Sequence, residues 1–113
     1  MSRSASLGDG SVVFARSVIG AGTRVGRNAV LYSGTVVEHD CLLEDHVYLA
    51  PGVVLSGNVT VREGAFLGSG AVVVPGVEIG RDAVVAAGAV VVADVNPGGT
   101  VMGVPARQRP QQP

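Results

Sequence analysis

The sequence predicts an all-β chain that folds as a single-stranded parallel β-helix, and three features of its 113 residues predict this. Aliphatic residues recur at every sixth position, fifteen times without a break, from Leu7 to Val91. Three residues after each of them comes Gly, Asn or Asp, except at Arg16 and His46, and these residue types tolerate the left-handed backbone of a tight corner. Four residues after each comes a small or β-branched residue.

This period of six fits neither an amphipathic helix nor an ordinary alternating strand. It is typical of short strands joined by corners, in which each repeat buries its apolar face by stacking on its neighbours. Three repeats complete one turn, so residues eighteen apart stack on each other at about 4.8 Å. The fifteen repeats therefore predict about five turns of a triangular prism.

The chain divides into three predicted segments. Residues 1–6 are a polar lead-in, residues 7–96 are the parallel β-helix, and residues 97–113 form a short C-terminal cap and a disordered tail. From Ile19 onward no insertion breaks the repeat, so no long loop projects from any corner. After Asn96 the rhythm stops at a Pro97-Gly98-Gly99 turn, and a Gln/Pro-rich end follows.

Composition limits the partners and the compartment. Apolar residues make up 47% and aromatic residues only 4%, which suits a narrow prism filled with aliphatic side chains. The net charge is −1 and there is no Lys, so we expect no nucleic-acid or anionic-membrane partner. The N-terminus lacks the apolar core of a signal peptide, and the longest apolar run, residues 83–93, is too short to span a bilayer. We therefore predict a cytoplasmic protein.

Residues 35–46 carry the candidate chemistry, because they hold both histidines, the only cysteine and four of the nine acidic residues. Stacking by eighteen places His39 in a column whose other members are small and uncharged, which leaves space for a substrate: Ala21, Gly57, Pro75 and Ala93. Glu38 and Asp40 flank it, so a carboxylate can hold one ring nitrogen and raise the basicity of the other. We predict His39 as a catalytic residue with one of these two carboxylates as its partner; the competing interpretation is a surface histidine with no task.

The other two reactive side chains of this stretch receive structural interpretations. His46 lies in a column between Asn28 and Gly64 that offers no comparable space, so we expect an ordinary surface histidine. Cys41 falls at an inward, small-residue position, which predicts a buried reduced thiol rather than a nucleophile.

Two sets of motifs resemble a known family. Segments such as Ile19-Gly20-Ala21-Gly22-Thr23 and Ile79-Gly80-Arg81-Asp82-Ala83 resemble the hexapeptide-repeat acyltransferase superfamily, whose members are left-handed parallel β-helices and usually trimers. Val37-Glu38-His39-Asp40-Cys41, with the segments 49–52, 55–59 and 66–71, resembles the β-helix domain of the sialic-acid O-acetyltransferase and nucleotide-amino-sugar N-acetyltransferase family. Gly103-Val104-Pro105-Ala106-Arg107 is similar to the ending of acetyl-CoA-using members.

The resemblance implies an enzyme, a homotrimeric acetyltransferase that uses acetyl-CoA as co-substrate and no metal. Its acceptor would be an amine or hydroxyl of a sugar or nucleotide sugar, with His39 as general base and Asp40 tuning it. The acetyl-CoA arm would lie in a groove between two subunits and contact Tyr48, Gly57, Ser69 and Ala87. The ending that contains Pro105 and Arg107 would close over it; a plain terminal cap is the competing explanation.

Two departures from the family keep other functions open. Members usually begin with a small α/β domain, which we do not expect in this chain, and usually carry a second histidine where Tyr48 stands; we expect the Tyr48 ring to rest against Phe66. The alternatives are a non-catalytic β-helix trimer module or a partial domain that lacks its acceptor-binding domain. A zinc enzyme of the γ-carbonic-anhydrase type needs three histidine ligands, whereas this chain has two in different columns.

Overall fold

The computed structural model describes residues 1–109, in which each six-residue repeat forms one two-residue strand and one four-residue corner. The repeat strands are β1 (Ser6–Leu7), β2 (Val12–Val13), β3 (Val18–Ile19), β4 (Arg24–Val25), β5 (Val30–Leu31), β6 (Val36–Val37), β7 (Leu42–Leu43), β8 (Tyr48–Leu49), β9 (Val54–Leu55), β10 (Thr60–Val61), β11 (Phe66–Leu67), β12 (Val72–Val73), β13 (Glu78–Ile79), β14 (Val84–Val85) and β15 (Val90–Val91). Two further strands follow: β16 (Thr100–Met102) and β17 (Arg107–Gln108).

Every third strand pairs in parallel, which produces three sheets. Sheet A has the order β1-β4-β7-β10-β13, sheet B the order β2-β5-β8-β11-β14-β16-β17, and sheet C the order β3-β6-β9-β12-β15. The register joins residues eighteen apart, as in Val30 with Tyr48 and Val37 with Leu55. The five-turn prism predicted from the repeat is therefore present. The first repeats are paired like the later ones, β2 with β5 for example.

The core is a single column of aliphatic side chains inside a molecule about 22 Å across. The second residue of each repeat strand points inward, and from Ile19 to Val91 each of these is buried. The small residues at the corners, Cys41 among them, fill the space between the sheets. All four aromatic residues of the chain lie outside, along sheet B, because a prism this narrow is already filled by Val, Leu and Ile.

The corners are named here by the sheets that they join. The A–B corner comprises residues 8–11, 26–29, 44–47, 62–65 and 80–83; the B–C corner comprises 14–17, 32–35, 50–53, 68–71 and 86–89; the C–A corner comprises 20–23, 38–41, 56–59 and 74–77. The third residue of these corners takes a left-handed conformation, including the two exceptions to the Gly/Asn/Asp rule, Arg16 (φ 64°) and His46 (φ 62°). The corner geometry is therefore imposed by the stack and not only by local preference.

The outer faces of the three sheets differ in chemistry. The outward strand residues of sheet A are mixed, and beside them Arg62 bridges Glu44 at 3.1 Å and Glu78 at 2.9 Å. Sheet C presents a stripe of valines and sheet B presents valines and aromatic rings: Val18, Val36, Val54, Val72 and Val90 on sheet C, and Val12, Val30, Tyr48, Phe66 and Val84 on sheet B. Two faces are thus apolar and one is polar.

The last turn is two residues shorter than the others. Ile79 bridges Val95 and Val84 pairs with Thr100, both offsets of sixteen residues. Asp94, at the place of a left-handed corner residue, instead accepts a hydrogen bond from the Glu78 N–H at 2.8 Å. The repeat that the sequence predicted to continue to Asn96 therefore loses its register after Val91.

The chain then folds back over the end of the prism. β17 pairs antiparallel with β16, and the Ala106 N–H donates to the Val90 carbonyl at 2.8 Å. At the opposite end the Ser2 N–H donates to the Ile19 carbonyl, so the predicted lead-in runs beside β3, at the end of the first turn. Residues 110–113 of the predicted tail lie outside the described residues. Residues 1–109 include no helix with the length and apolar character needed to cross a membrane.

Candidate active site

His39 and Asp40 lie at the C–A corner between β6 and β7. Asp40 is the left-handed residue of this corner, with φ 56°. Its N–H donates to the Ala21 carbonyl at 2.8 Å, and the His39 carbonyl accepts from the Asn58 N–H at 3.0 Å. The corner is therefore tied to the turns on both sides of it, and the backbone under the two side chains is fixed.

The His39 imidazole is held by Asp40 rather than by Glu38. Nδ1 of His39 and Oδ2 of Asp40 are 3.1 Å apart, and the two side chains are 58% and 60% exposed. Such an exposed contact contributes little to stability. Its effect is orientation, because the carboxylate favours the tautomer with hydrogen on Nδ1 and leaves the lone pair on Nε2.

The other side of the imidazole faces Gly57, one turn further along the same corner. A β-carbon built on Gly57 would lie 2.7 Å from Cε1 of His39 and would overlap Nε2. Since real β-carbons do not approach so closely, any side chain at this position would displace the ring. Gly57, predicted to contact acetyl-CoA, thus lies beside the candidate base.

A buried threonine that the sequence interpretation did not single out braces this corner. The Thr23 hydroxyl donates to the Glu38 carbonyl at 2.8 Å and accepts from the Cys41 N–H at 3.2 Å, so it joins the first and last residues of the corner. The sequence does contain a sign of this contact: Thr23 lies at an inward position eighteen residues before Cys41, so the two residues are expected to stack.

Cys41 is buried, as predicted. Its thiol lies 3.3 Å from the Ser56 carbonyl oxygen, and burial raises the pKa of the Cys41 thiol. A raised pKa keeps the thiol protonated at neutral pH, which argues against a nucleophilic role.

The residues predicted to line the acetyl-CoA groove lie at more than one place in a single chain. Ser69 and Ala87 stack at the B–C corner, where the Gly88 N–H donates to the Ser69 carbonyl at 2.9 Å. Sheet C separates them from His39 and Gly57 at the C–A corner. One chain therefore does not bring all of these residues to one groove.

Tyr48 lies on sheet B, the face opposite the C–A corner. Its ring stacks on Phe66 at 4.8 Å, as predicted, and lies 5.2 Å from Tyr32, which stacks in turn on Phe14. Hydrogen bonding with the Tyr32 side chain raises the pKa of the Tyr48 hydroxyl. Within one chain Tyr48 is thus part of an aromatic row and not a neighbour of His39.

Pro105 and Arg107 lie in the segment that folds back over the last turn. The Gly103 carbonyl accepts from the Val90 N–H at 3.0 Å, and Arg107 begins β17. This is the same end of the prism as Ala87, so these residues border the top of the B–C corner. The segment also covers the core, since Ala106 packs against it.

Neither histidine belongs to a metal-binding arrangement within residues 1–109. His46 lies at the A–B corner, on the other side of sheet A from His39. No group of three or more His, Cys, Asp or Glu side chains in the described part of the chain could hold a metal ion. The donor set therefore does not fit the zinc alternative within one chain.

A shallow cavity of about 370 Å³ lies on sheet A and the A–B corner, lined by Arg24, Leu42 and Glu44 among others. Two of its carboxylates already bind groups outside the lining: Glu44 pairs with Arg62, and the Asp45 carboxylate accepts from the Arg27 backbone N–H. His39 is not among the residues that line this cavity, so the cavity is separate from the candidate active site.

Comparison with known proteins decides the family. The model for the bacterial transferase hexapeptide family (six repeats) matches residues 22–57 and 58–93. The chain belongs to this family. Its all-β fold is accordingly the left-handed parallel β-helix that the resemblance implied. No protein of curated function matches the sequence.

Several solved structures are similar to this hexapeptide-repeat chain. The acetyltransferase domain of PglB from Neisseria gonorrhoeae FA1090, in complex with acetyl coenzyme A, is 39% identical with a TM-score of 0.94, over 96% of this chain and 53% of that one. PerB from Caulobacter crescentus, in complex with CoA and GDP-perosamine, is 42% identical with a TM-score of 0.91, over 96% and 53%. A mutant perosamine N-acetyltransferase from the same organism, in complex with the same two ligands, is 44% identical with a TM-score of 0.96, over 97% and 52%. The chain therefore spans about half the length of these relatives.

Proposed function

We propose that this protein is an acetyl-CoA-dependent acetyltransferase, that its acceptor is the amine of a sugar carried by a nucleotide, and that His39 is its general base. One observation carries the proposal. An imidazole oriented by Asp40 and lying against Gly57 occurs in a prism that matches acetyl-CoA- and CoA-bound acetyltransferases with TM-scores of 0.91 to 0.96. The amine is preferred to the hydroxyl because the similar perosamine enzyme is an N-acetyltransferase.

The proposed reaction needs one proton acceptor and no covalent acyl-enzyme. As the amine nitrogen forms its bond to the thioester carbon, it must lose a proton, and Nε2 of His39 accepts it. The carbon–sulfur bond then breaks, and the imidazolium gives the proton to the departing thiolate. Asp40 stabilises the charged ring while it holds the proton, and a backbone N–H beside Gly57 stabilises negative charge on the carbonyl oxygen.

The proposed groove for acetyl-CoA forms between two copies. His39 and Gly57 of one copy would face Tyr48, Ser69 and Ala87 of its neighbour, which accounts for their separation within one chain. Pro105 and Arg107 would close the end of the groove. The protein that forms this groove would be cytoplasmic, in line with the expectation from the sequence.

We expect a homotrimer, in which the apolar faces of sheets B and C pack against neighbours and the polar face of sheet A stays in solvent. The exposed side chains of Phe66 and Val84 on sheet B and of Phe14 at the adjoining B–C corner support this arrangement, since isolated proteins seldom expose a continuous apolar face. Light scattering at micromolar concentration should give three times the chain mass of 11.3 kDa.

A matched pair of variants tests which face is involved. Phe66 and Thr60 are the first, outward residues of neighbouring strands, on sheets B and A respectively. Phe66→Arg should reduce the trimer, whereas Thr60→Arg should leave it intact. A monomeric wild-type protein would contradict both the trimer and the shared groove, and dissociation by Thr60→Arg alone would show that sheet A forms the interface.

The activity itself is tested in two steps. Calorimetry should detect acetyl-CoA binding, and thiol release should then require a nucleotide-linked amino sugar. The same sugar with a hydroxyl in place of its amine is the control for N- against O-acetylation. Absence of acetyl-CoA binding would favour the non-catalytic module, and stoichiometric zinc in the purified protein would favour the zinc enzyme of the γ-carbonic-anhydrase type.

A further inference from the structure

We propose that Gly22 is a positioning residue of the candidate active site: because it has no side chain, it admits the Asp40 carboxylate that holds the His39 imidazole. The proposal rests on the proposed function, to which it adds a residue that touches neither substrate. The contact between Gly22 and Asp40 also affects the His39 tautomer in the free protein, whether or not the reaction is the one proposed.

Gly22 and Asp40 occupy equivalent places in successive turns of the C–A corner. Both are left-handed, with φ 72° and 56°, and the backbone between them is fixed by the hydrogen bond from Asp40 N–H to the Ala21 carbonyl. A β-carbon built on Gly22 would overlap Oδ1 of Asp40. The other oxygen, Oδ2, is the one 3.1 Å from Nδ1 of His39. The carboxylate thus reaches from the Gly22 backbone to the imidazole.

A side chain at position 22 would therefore act on His39 through Asp40. If the Asp40 carboxylate were pushed away from the corner, it would lose its hydrogen bond with Nδ1 of His39. The ring would then lack the contact that selects its tautomer. The lone pair would then no longer be kept on Nε2, the nitrogen that faces Gly57. Since catalysis depends on this geometry, a displacement of about 1 Å is enough to slow the reaction strongly.

The fold supplies internal controls, because the same close approach occurs elsewhere. A β-carbon on Gly64, with φ 74°, would overlap Oδ1 of Asp82 at the A–B corner, far from His39. At Gly70, with φ 72°, a β-carbon would meet nothing within 4 Å. Gly64→Ala therefore reproduces both the backbone strain and the displaced carboxylate, and Gly70→Ala reproduces the strain alone.

The test measures the tautomer of His39 in the free protein by ¹⁵N NMR of labelled histidine at about pH 8.5, above the ordinary pKa of histidine. The chain has two histidines, so His46 serves as the internal reference. In wild type we expect His39 to carry its hydrogen on Nδ1. In Gly22→Ala we expect the His39 spectrum to move to that of a free imidazole, whereas Gly64→Ala and Gly70→Ala should leave it unchanged.

Kinetics and a double variant complete the test. Gly22→Ala should lower kcat by about tenfold or more with KM for acetyl-CoA little changed. If Gly22 acts only through Asp40, then Gly22→Ala adds no further change to the tautomer or to kcat in an Asp40→Asn background. Should Gly22→Ala fail to fold, Gly22→Asn replaces it, because Asn28 and Asn58 show that Asn accepts this left-handed position.

Three results would overturn the proposal. The first is a wild-type His39 tautomer in the folded Gly22 variant, the second is an equal shift in Gly64→Ala, and the third is an additional loss in the Asp40→Asn background. If no variant, wild type included, transfers acetyl groups, the proposed function fails, while the tautomer measurement still decides the role of Gly22.

Discussion

Replacing His39 with Ala is expected to lower turnover by about 10² or more, the usual effect of removing a general base. The fold and the affinity for acetyl-CoA should change little, because the His39 side chain is 58% exposed and its one polar contact within residues 1–109 is with Asp40. Thiol release at saturating substrates measures turnover, calorimetry measures affinity, and thermal unfolding checks the fold.

His46→Ala is the matched control for this prediction. His46 is the same residue type, is exposed and lies at a different corner, so its removal should leave turnover unchanged. Full activity of His39→Ala on a competent acceptor would refute the proposed mechanism. Equal losses in both variants would point to a general effect on the assembly rather than to a base.

Leu43→Ala is expected to lower the free energy of unfolding by about 2–5 kcal/mol, the range for a leucine removed from a packed core. Leu43 is fully buried at the centre of the column of aliphatic side chains. In a prism only 22 Å wide, all three sheets border the resulting cavity, and none can close it without moving the stacked turns on either side. Urea unfolding measures the loss, at fixed protein concentration because assembly would contribute to stability.

The adjacent residue on the same strand, β7, is the control. Leu42 points outward and is 37% exposed, so Leu42→Ala should cost no more than about 1 kcal/mol. The two variants differ only in which side of one strand loses its leucine. A similar loss of unfolding free energy in Leu43→Ala and Leu42→Ala would mean that Leu43 does not point inward and Leu42 does not point outward as described.

The strict repeat explains why so much of the fold could be predicted from the sequence. Each aliphatic residue from Leu7 to Val91 fixes the phase of its strand, and a chain without insertions then leaves only one stacking register. Arg16 and His46 illustrate the strength of this constraint. Arginine is uncommon in the left-handed region, whereas histidine tolerates it better than most residue types. Both adopt it here because hydrogen bonds to the adjacent turns, such as that from the His46 N–H to the Arg27 carbonyl, hold the corner.

The candidate site was predictable only in part. The column of small residues pointed to His39, but two acidic neighbours were equally plausible partners for its ring. Asp40 is the partner because its left-handed backbone aims the carboxylate along the corner, a direction that residue types alone do not reveal. The brace from Thr23 and the space over Gly22 were missed for the same reason, since both depend on contacts between successive turns.

The offset of eighteen residues means that only a change of whole turns can lengthen or shorten this prism without moving the later residues to another corner. An insertion of eighteen residues after Gly57 would lengthen the molecule by about 4.8 Å and leave Ser69 at its own corner. An insertion of six would rotate every later residue by one corner and carry Ser69 above His39. The shortening by two residues occurs beyond Val91. Only the covering segment follows there, so no later turn is shifted out of register.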